Sequence, residues 1–404
     1  MFSKLSVFKL PNVVAKIFKR SLNTGGYCEW SIEEPQRPMT VSIIGGHTGE
    51  GVLATFLLKQ TKLVDEIRLY SGLISPCGQG YDMSHIDTSP QIKAYTGQKF
   101  LRDVITDAHI VLICGGHPKK PCTTTEELFE SNADYVRNIA MYVGEFNPKA
   151  IVCISTPPVG ACVPLVAEVL KKNAAYDPRK VIGIMTLGSI RATSITAKYT
   201  NNNPSDVIVP VIGALSRDTL IPVFSQIRPE IHIDEKLLQL LRDKIASAED
   251  EALDLKYIES TGSCFLSSAF ATARFTASVI KGLKGDANVV ECGFVRQLGH
   301  IQEFLPYMGS IVKLGKDGVE QYYMPTITDD ECKQLQKAYP LIKSQIEMGE
   351  TFVLGAQRKA RINLKSPLYC QMIRKKPITM IGDVKIDLNE LDIDKNERCI
   401  EIIR

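Results

Sequence analysis

The stretch VSIIGGHTGEG, from Val41 to Gly51, decides the fold of this chain. Its first residues form an apolar run that predicts a buried β-strand, and the following segment, EGVLATFLLKQT, predicts a helix. The turn between strand and helix contains four glycines: Gly45, Gly46, Gly49 and Gly51. A glycine-rich turn of this kind lets the backbone approach a pyrophosphate at the N-terminus of a helix. The sequence therefore predicts a strand–turn–helix unit that binds a phosphorylated ligand.

The alternation of strands and helices continues beyond this unit. Apolar runs in EIRLYS, HIVLICGG and AIVCIST predict strands, and TEELFESNADYVRNIAMYVGEF predicts a helix between the last two. This alternation is typical of a doubly wound α/β fold, in which a parallel sheet binds its ligand at the carboxyl ends of the strands. We therefore predict such a domain over residues 39–185.

The pattern changes after Thr186. A charged amphipathic helix is predicted over Glu235–Lys256, and a more apolar helix over Leu266–Lys281. The segments ANVVECGFV and GSIVKLG predict strands, and a last helix is predicted near Asp329–Met348. These elements predict a second, α+β domain over residues 186–355.

The composition narrows the class of protein. With 404 residues and 44% hydrophobic content, the chain is long enough for two or three domains. Its net charge of +3 is nearly balanced, so we expect no nucleic-acid partner. The 11 cysteines show no CxxC or other metal-ligand spacing, which predicts a reducing compartment and no metal site. No run approaches the ~20 apolar residues that cross a bilayer, so we do not expect a transmembrane protein.

The first 28 residues differ from the rest of the chain. Up to Asn23 they contain no acidic residue, and apolar residues alternate with five basic ones: Lys4, Lys9, Lys16, Lys19 and Arg20. This composition is typical of a mitochondrial transit peptide. A basic docking arm that remains on the protein is the alternative, and Pro11 would interrupt it if it were helical.

A tail of residues 356–404 follows the predicted domains. Its first half is basic and its second half is acidic. The segments PITMIGDVKIDL and CIEII contain alternating apolar residues that favour strands over a solvated coil. We therefore expect an appendage that contacts a partner, such as a subunit of a larger mitochondrial complex.

Several long segments resemble one enzyme family. They are VSIIGGHTGEG, PKKP, AEVLKK, VIVPVIGALSRDTLIP, GSCFLSSAFATARF and VVECGFV, which occur in the same order between about Thr40 and Gly355. Together they resemble malate dehydrogenase of the mitochondrial type, in the lactate/malate dehydrogenase family. The resemblance implies a Rossmann-type domain followed by an α+β dehydrogenase C-terminal domain. It also implies NAD as cofactor and a homodimer, and a heterodimer with a paralogue is open as well.

The catalytic pair of that family is not present at the matching positions. In VIVPVIGALSRDTLIP the position that the resemblance assigns to the catalytic histidine is Leu215, and in TLGSIRA its aspartate partner is Gly188. Neither residue can accept a proton. Of the six histidines, only His117, which opens the loop before Lys119, is a candidate to reach a substrate.

The cofactor site also departs from the family pattern. The central glycine of GxxGxxG is replaced by Thr48, and Glu50 adds a negative charge at the start of the helix. The acid that grips the ribose of NAD is replaced by Ser71. In STPPVGACVP, Pro157 and Gly160 stand where the family has asparagines. From these changes we expect either no cofactor or weakly bound NAD, held by the four glycines and Ser71.

The substrate site retains part of its charge. The family holds a dicarboxylate with three arginines, whose planar groups form paired hydrogen bonds to carboxylates. The matching positions here are Lys119, Thr125 and Arg191, so a remnant of Lys119 and Arg191 is expected.

Two functions follow from these observations. The first is a non-catalytic member of the family, a pseudoenzyme that serves as a structural or regulatory subunit of a mitochondrial assembly. The second is an NAD-dependent 2-hydroxy acid dehydrogenase with an altered substrate and mechanism, in which Arg191 still binds the carboxylate.

Overall fold

The computed structural model describes residues 37–258, 264–299, 301–355 and the strand residues 378–379. The predicted targeting segment, residues 1–28, lies outside this part of the chain. Most of the predicted tail, residues 356–404, lies outside it as well.

The described residues form strands and α-helices in alternation. The strands are β1 (Thr40–Ile44), β2 (Glu66–Ser71), β3 (Gln91–Thr96), β4 (Ile110–Ile113), β5 (Ile151–Ile154), β6 (Val181–Ile184), β7 (Val211–Gly213), β8 (Leu220–Pro222), β9 (Val289–Arg296), β10 (Tyr307–Gly315), β11 (Gly318–Met324) and β12 (Ile378–Thr379). The helices are α1 (Gly49–Lys59), α2 (Cys77–Ser84), α3 (Leu101–Ile105), α4 (Thr125–Phe146), α5 (Val159–Lys172), α6 (Thr186–Tyr199), α7 (Glu235–Ile258), α8 (Leu266–Lys284), α9 (Ile301–Phe304) and α10 (Asp329–Leu354).

Six parallel strands form the first part of the sheet, in the order β3-β2-β1-β4-β5-β6. Ile44 pairs with Tyr70 on one side and with Ile113 on the other, so the carboxyl ends of β1, β2 and β4 lie at one edge. Chain order reverses at β1, where a doubly wound sheet opens its ligand crevice. The predicted fold class, a Rossmann-type sheet followed by an α/β C-terminal region, is confirmed.

The sheet continues into the second half of the chain. Strand β9 pairs with β6 in the antiparallel direction, and β10 and β11 extend the sheet beyond it. The strands of the two halves therefore belong to one continuous sheet, and the domain boundary after residue 185 stays a prediction. Helix α8 packs against α1, the helix that follows the glycine-rich turn, and α7 packs against α6.

The tail contributes one short strand to the described structure. Ile378 pairs with Met324, and Thr379 pairs with Tyr323, in the antiparallel direction. This pairing agrees with the strand predicted for PITMIGDVKIDL, whose other residues lie outside the described part of the chain. Within the described ranges, no helix is both long and apolar enough to cross a membrane.

Candidate functional site

The turn after β1 brings three backbone segments into close contact. Gly45 has a φ of +109°, and a Cβ atom on it would lie 2.4 Å from the Cα of Gly115. The amides of Gly45 and Gly46 both donate to the carbonyl oxygen of Tyr70, at 3.0 and 2.9 Å. A Cβ on Gly51 would lie 2.3 Å from the carbonyl oxygen of Gly45. These contacts require glycine and hold the N-terminus of α1 at the carboxyl edge of the sheet, where first-turn N–H groups bind anions.

Thr48 is the N-cap of α1 and folds onto this turn. Its Oγ1 accepts a hydrogen bond from the amide of Gly51 at 3.0 Å and donates one to the carbonyl of Gly45 at 2.8 Å. Threonine is a favourable N-cap because its hydroxyl satisfies an N–H group that lacks a helical partner. The residue at the position of the family's central glycine therefore stabilises the turn.

Glu50, in the first turn of α1, connects the two halves of the chain. Its carboxyl group accepts hydrogen bonds from the Oγ of Ser155, after β5, and from the Oγ1 of Thr272 on α8, the second at 2.7 Å. Burial raises the pKa of Glu50 above its usual value, and these hydrogen bonds only partly oppose the shift. Glu50 therefore ionises less readily than an exposed glutamate does, and its carboxyl group ties α1 to β5 and α8.

Two buried polar atoms at this edge have no hydrogen-bond partner among the described residues. They are the Oγ of Ser71, which ends β2 and is 3% exposed, and the Nδ1 of His47 in the glycine-rich turn. A buried polar atom without a partner costs about 1–3 kcal/mol. A polar ligand with hydroxyl groups removes that cost, so the residues present fit the ribose and phosphate groups of a dinucleotide.

An aromatic ring lies over the start of α1. A Cβ atom on Gly49 would lie 2.8 Å from the ring of Phe265, which immediately precedes α8. The Nζ of Lys256 is 5.2 Å from the centroid of the same ring. Gly49 is therefore needed for the close approach of this ring, and Phe265 is part of the site wall.

Leu215 and Gly188 are brought together at an apolar contact. Gly188 lies in the first turn of α6, and Leu215 follows β7 and packs against the hydrophobic core. A Cβ on Gly188 would lie 3.3 Å from the Cδ1 of Leu215 and 2.7 Å from the Cδ1 of Leu220. Leucine side chains fill the space that an aspartate side chain at 188 would enter, and none of these groups can exchange a proton.

Lys119 and Arg191 are also brought together, through two carboxylates of α7. The Nζ of Lys119 lies 3.1 Å from the Oε2 of Glu249 and 2.8 Å from the Oδ1 of Asp250. The Nη1 of Arg191 lies 3.7 Å from the Oε1 of Glu249, and the Nη1 of Arg217 lies 3.2 Å from the Oδ2 of Asp250. The predicted substrate-binding remnant is therefore part of a five-residue ion-pair cluster.

The ion pairs affect the ionisation of the cluster. Burial alone lowers the pKa of Lys119, but the charge of Glu249 and the hydrogen bonds to both carboxylates raise it overall. For Asp250, burial raises the pKa, and the hydrogen bond and charge of Lys119 outweigh that effect and lower it. Both shifts favour the charged forms at neutral pH.

Thr125 begins α4 and carries no site function that the contacts reveal. The preceding residue, Thr124, is the N-cap: its hydroxyl accepts from the amide of Glu127, whose carboxylate accepts from the amide of Thr124. This is a capping box, and the sequence TTEE contains its signature. Thr125, which the resemblance matches to an arginine of the family, is therefore the first residue of a capped helix.

Gly160 and His117 are held by packing and by backbone contacts. A Cβ on Gly160 would lie 2.1 Å from the Oε1 of Gln345 on α10, so a side chain at this position would have to displace that amide group. The backbone of His117 exchanges two hydrogen bonds with the side chain of Asn132, which also donates to the carbonyl of Pro157. These contacts stabilise the loops around the site and leave the imidazole of His117 without an assigned role.

Several site residues could not be identified from the sequence. Glu249 and Asp250 lie in a charged helix whose pattern indicates only a polar face. Phe265 lies in GSCFLSSAFATARF, a segment that resembles the family but carries no motif that marks this residue. Ser155 and Thr272 reach Glu50 across 105 and 222 residues of sequence. The described residues contain no group of three or more His, Cys, Asp or Glu side chains that could hold a metal ion.

We expect the substitution Gly188→Asp to destabilise the protein by about 1–3 kcal/mol, because the new side chain must displace Leu220 and Leu215. Urea unfolding followed by circular dichroism measures this change. Gly78→Asp is the control, since a Cβ on Gly78 meets no atom within 4 Å, and we expect a change below about 0.5 kcal/mol. Equal stability of G188D and the parent protein would contradict the packing described at this position.

We expect Glu50 to make the folded protein less stable as the pH rises. Its pKa is raised in the folded state, so the folded state binds a proton more tightly than the unfolded state does. Stability is then lost as the pH increases from the ordinary pKa of a glutamate through the raised value. Glu50→Gln removes this dependence, and urea unfolding at a series of pH values that begins below the ordinary glutamate pKa of 4.5 and rises to neutral pH measures it.

The matched control for this experiment is Glu145→Gln, on the exposed side of α4. We expect this variant to retain the pH dependence of the parent protein. A parent protein and E50Q variant with the same dependence of unfolding free energy on pH would show that Glu50 does not change its ionisation on folding.

Comparison with known proteins identifies the family. Residues 39–183 match the family model of the lactate/malate dehydrogenase NAD binding domain, and residues 185–353 match that of the lactate/malate dehydrogenase alpha/beta C-terminal domain. The peroxisomal malate dehydrogenase 1 of Arabidopsis thaliana is 36% identical over 77% of this chain and 87% of its own length. The mitochondrial malate dehydrogenase of Bos taurus is 34% identical over 79% of this chain and 93% of its own length.

Solved structures share the fold. The malate dehydrogenase of Cryptosporidium parvum aligns with 78% of this chain and all of its own, with a TM-score of 0.66 and 24% identity. The lactate dehydrogenase of Eimeria maxima, solved with NADH and oxamate, aligns with 83% of this chain and all of its own, with a TM-score of 0.66 and 18% identity.

These findings correct one prediction. The expectation of no cofactor, or of weakly bound NAD, is wrong, because the family model that residues 39–183 match is an NAD binding domain. The physical reason is local: Thr48 caps α1 without blocking the turn, and the carboxyl group of Glu50 is held by hydrogen bonds from Ser155 and Thr272. These two of the five changes that argued against a dinucleotide are thus accommodated by the fold. From the two family matches and the relatives together, this chain belongs to the lactate/malate dehydrogenase family.

Proposed function

We propose that this chain is a non-catalytic member of its family, one that binds NAD and serves as a structural or regulatory subunit. The observation that carries the proposal is the apolar contact of Leu215 and Leu220 at Gly188, where the resemblance implies a histidine and an aspartate. Hydride transfer to a 2-oxo acid requires a proton at the carbonyl oxygen, and a positioned acid contributes about 10²- to 10⁴-fold to such a step.

The cofactor site supports binding in this proposal. The N-terminus of α1 would hold the pyrophosphate of NAD, and the unpartnered Oγ of Ser71 would hydrogen-bond a ribose hydroxyl. When bound, NAD supplies a hydride acceptor or donor. The ring of Phe265, which lies against Gly49 at the start of α1, gives this part of the cleft an apolar wall.

The substrate side supports the loss of turnover. Lys119 and Arg191 are both paired with Glu249, and the third arginine position is Thr125. Each charge-assisted hydrogen bond that a substrate cannot form costs about 1.5–3 kcal/mol. Binding of malate or oxaloacetate is therefore weak in this proposal, independently of the missing acid–base pair.

A titration with NADH, followed by a steady-state assay, tests the proposal. We expect saturable binding with a Kd on the order of micromolar, the affinity of a ligand bound with about 8 kcal/mol. With oxaloacetate and NADH we expect a rate at least about 10²-fold below that of a malate dehydrogenase measured in parallel, from the missing acid alone. Saturable turnover of another 2-oxo acid at an enzymatic rate would instead establish a dehydrogenase with an altered substrate.

We also propose a mitochondrial location and an oligomeric state. The basic, acid-poor composition of residues 1–28 supports a targeting segment, and the relatives include mitochondrial, peroxisomal, glyoxysomal and chloroplastic proteins. A homodimer, or a heterodimer with a paralogue, is the proposed assembly. Residues 356–404 are the proposed contact with a larger mitochondrial complex.

A fluorescent protein that carries residues 1–28 at its N-terminus tests the targeting proposal. We expect it to enter mitochondria, because mitochondrial import recognises basic, amphipathic segments that lack acidic residues. The control replaces Lys16, Lys19 and Arg20 by glutamate and should remain in the cytosol. A cytosolic distribution of the unsubstituted fusion would contradict a targeting function for this segment.

A further inference from the structure

The two carboxylates that α7 contributes to the ion-pair cluster resemble a bound dicarboxylate. Glu249 uses both of its carboxylate oxygens, one toward Lys119 and one toward Arg191. Asp250 does the same, with one oxygen toward Lys119 and the other toward Arg217. Two neighbouring carboxylates thus bridge three cations, in the way that the two carboxylates of a small diacid would.

The cluster is partly shielded from water. The side chain of Arg191 is 17% exposed, that of Lys119 is 26% exposed, and the two carboxylates are about one third exposed, whereas Arg217 at the rim is 56% exposed. Screening is weaker at such sites than on an open surface, so the ion pairs hold the cations more firmly than surface pairs do. The raised pKa of Lys119 agrees with a stable pairing.

The position of the cluster links it to the candidate site. Arg191 lies one helical turn after Gly188 on α6, and Arg217 lies two residues after Leu215. Helix α7 packs against α6, and this packing brings Glu249 to Arg191. Glu249 and Asp250 therefore pair with the cations that an anionic ligand beside the contact of Gly188 and Leu215 would use.

We propose that Glu249 and Asp250 are specificity-determining residues that occupy the cations of this site and exclude dicarboxylates. Three cations and two carboxylates leave a net charge of one positive unit. That charge suits a ligand with a single carboxylate. A dicarboxylate would give the cluster a net negative charge or would have to displace both internal carboxylates. The inference rests on the proposed function only in treating Lys119 and Arg191 as the remnant of an anion site.

The double substitution Glu249→Gln with Asp250→Asn tests this inference, because it removes both charges and retains the shape of the side chains. Malonate is the probe, an unreactive small dicarboxylate, and acetate is the single-carboxylate comparison. Isothermal titration at low ionic strength and without NADH measures both. We expect malonate to bind about tenfold or more tightly to the double variant than to the parent protein, a change equal to one charged hydrogen bond. Acetate should gain less than malonate.

Glu251→Gln is the matched control. Glu251 is the next residue of α7, but its carboxylate pairs with Lys244 and accepts from Ser247, and the charge of Arg217 is only the smallest of the influences on it. We expect its malonate affinity to stay within about twofold of the parent protein, since E251Q changes the net charge by one unit, as E249Q or D250N does, without changing the pairs of Lys119 and Arg191. The single variants E249Q and D250N, checked by circular dichroism, should give intermediate affinities and serve if the double variant does not fold.

Two results would overturn the inference: malonate binding that is as tight in the parent protein as in the folded variants, or an equal gain in E251Q. Because NADH is absent from this experiment, its failure would leave the proposed binding of NAD and the absence of turnover untouched. Conversely, rapid turnover of a 2-oxo acid by the parent protein would refute the proposed function without deciding whether α7 excludes dicarboxylates.

Discussion

The glycine-rich turn after β1 contacts the ends of β2 and β4, and the rest of this structure depends on that contact. The amides of Gly45 and Gly46 share the carbonyl of Tyr70, and Gly45 lies against Gly115 with no room for a side chain. This contact fixes where α1 begins. Only from that position does Glu50 reach both Ser155 and Thr272. The same turn thus creates an anion-binding helix terminus and ties the nucleotide-binding half to α8.

The remainder of the site combines an apolar contact with an ion-pair cluster. A carboxylate at Gly188 would meet the side chains of Leu215 and Leu220, and Lys119 and Arg191 are paired with the carboxylates of α7. An uncompensated buried charge is costly, so the apolar contact at Gly188 does not favour a carboxylate there. The nucleotide-binding edge, in contrast, has the glycines that its close backbone contacts require and an unpartnered hydroxyl at Ser71.

Local features of the fold could be predicted from the sequence, because they depend on short-range patterns. The strand Glu66–Ser71 and the helix Thr125–Phe146 have the predicted bounds, and the helix Glu235–Ile258 begins at the predicted residue. The long-range pairing of β6 with β9 was not predicted, since apolar alternation identifies a strand but not its neighbour. For the same reason the sequence pattern does not predict that Ser155 and Thr272 bind Glu50, or that α7 pairs with Lys119 and Arg191. The capping box at Thr124 is a local pattern, since its threonine and glutamate are three residues apart in TTEE.

The central claim is that the chain binds NAD and does not transfer hydride. Transfer of deuterium from 4-deuterated NADH to oxaloacetate, followed by mass spectrometry of the malate formed under saturating cofactor, tests it directly. The account predicts saturable NADH binding and no deuterated malate above the level formed without protein. Deuterated malate formed at an enzymatic rate would contradict it, because no residue at Leu215 or Gly188 can supply the proton that the reaction requires.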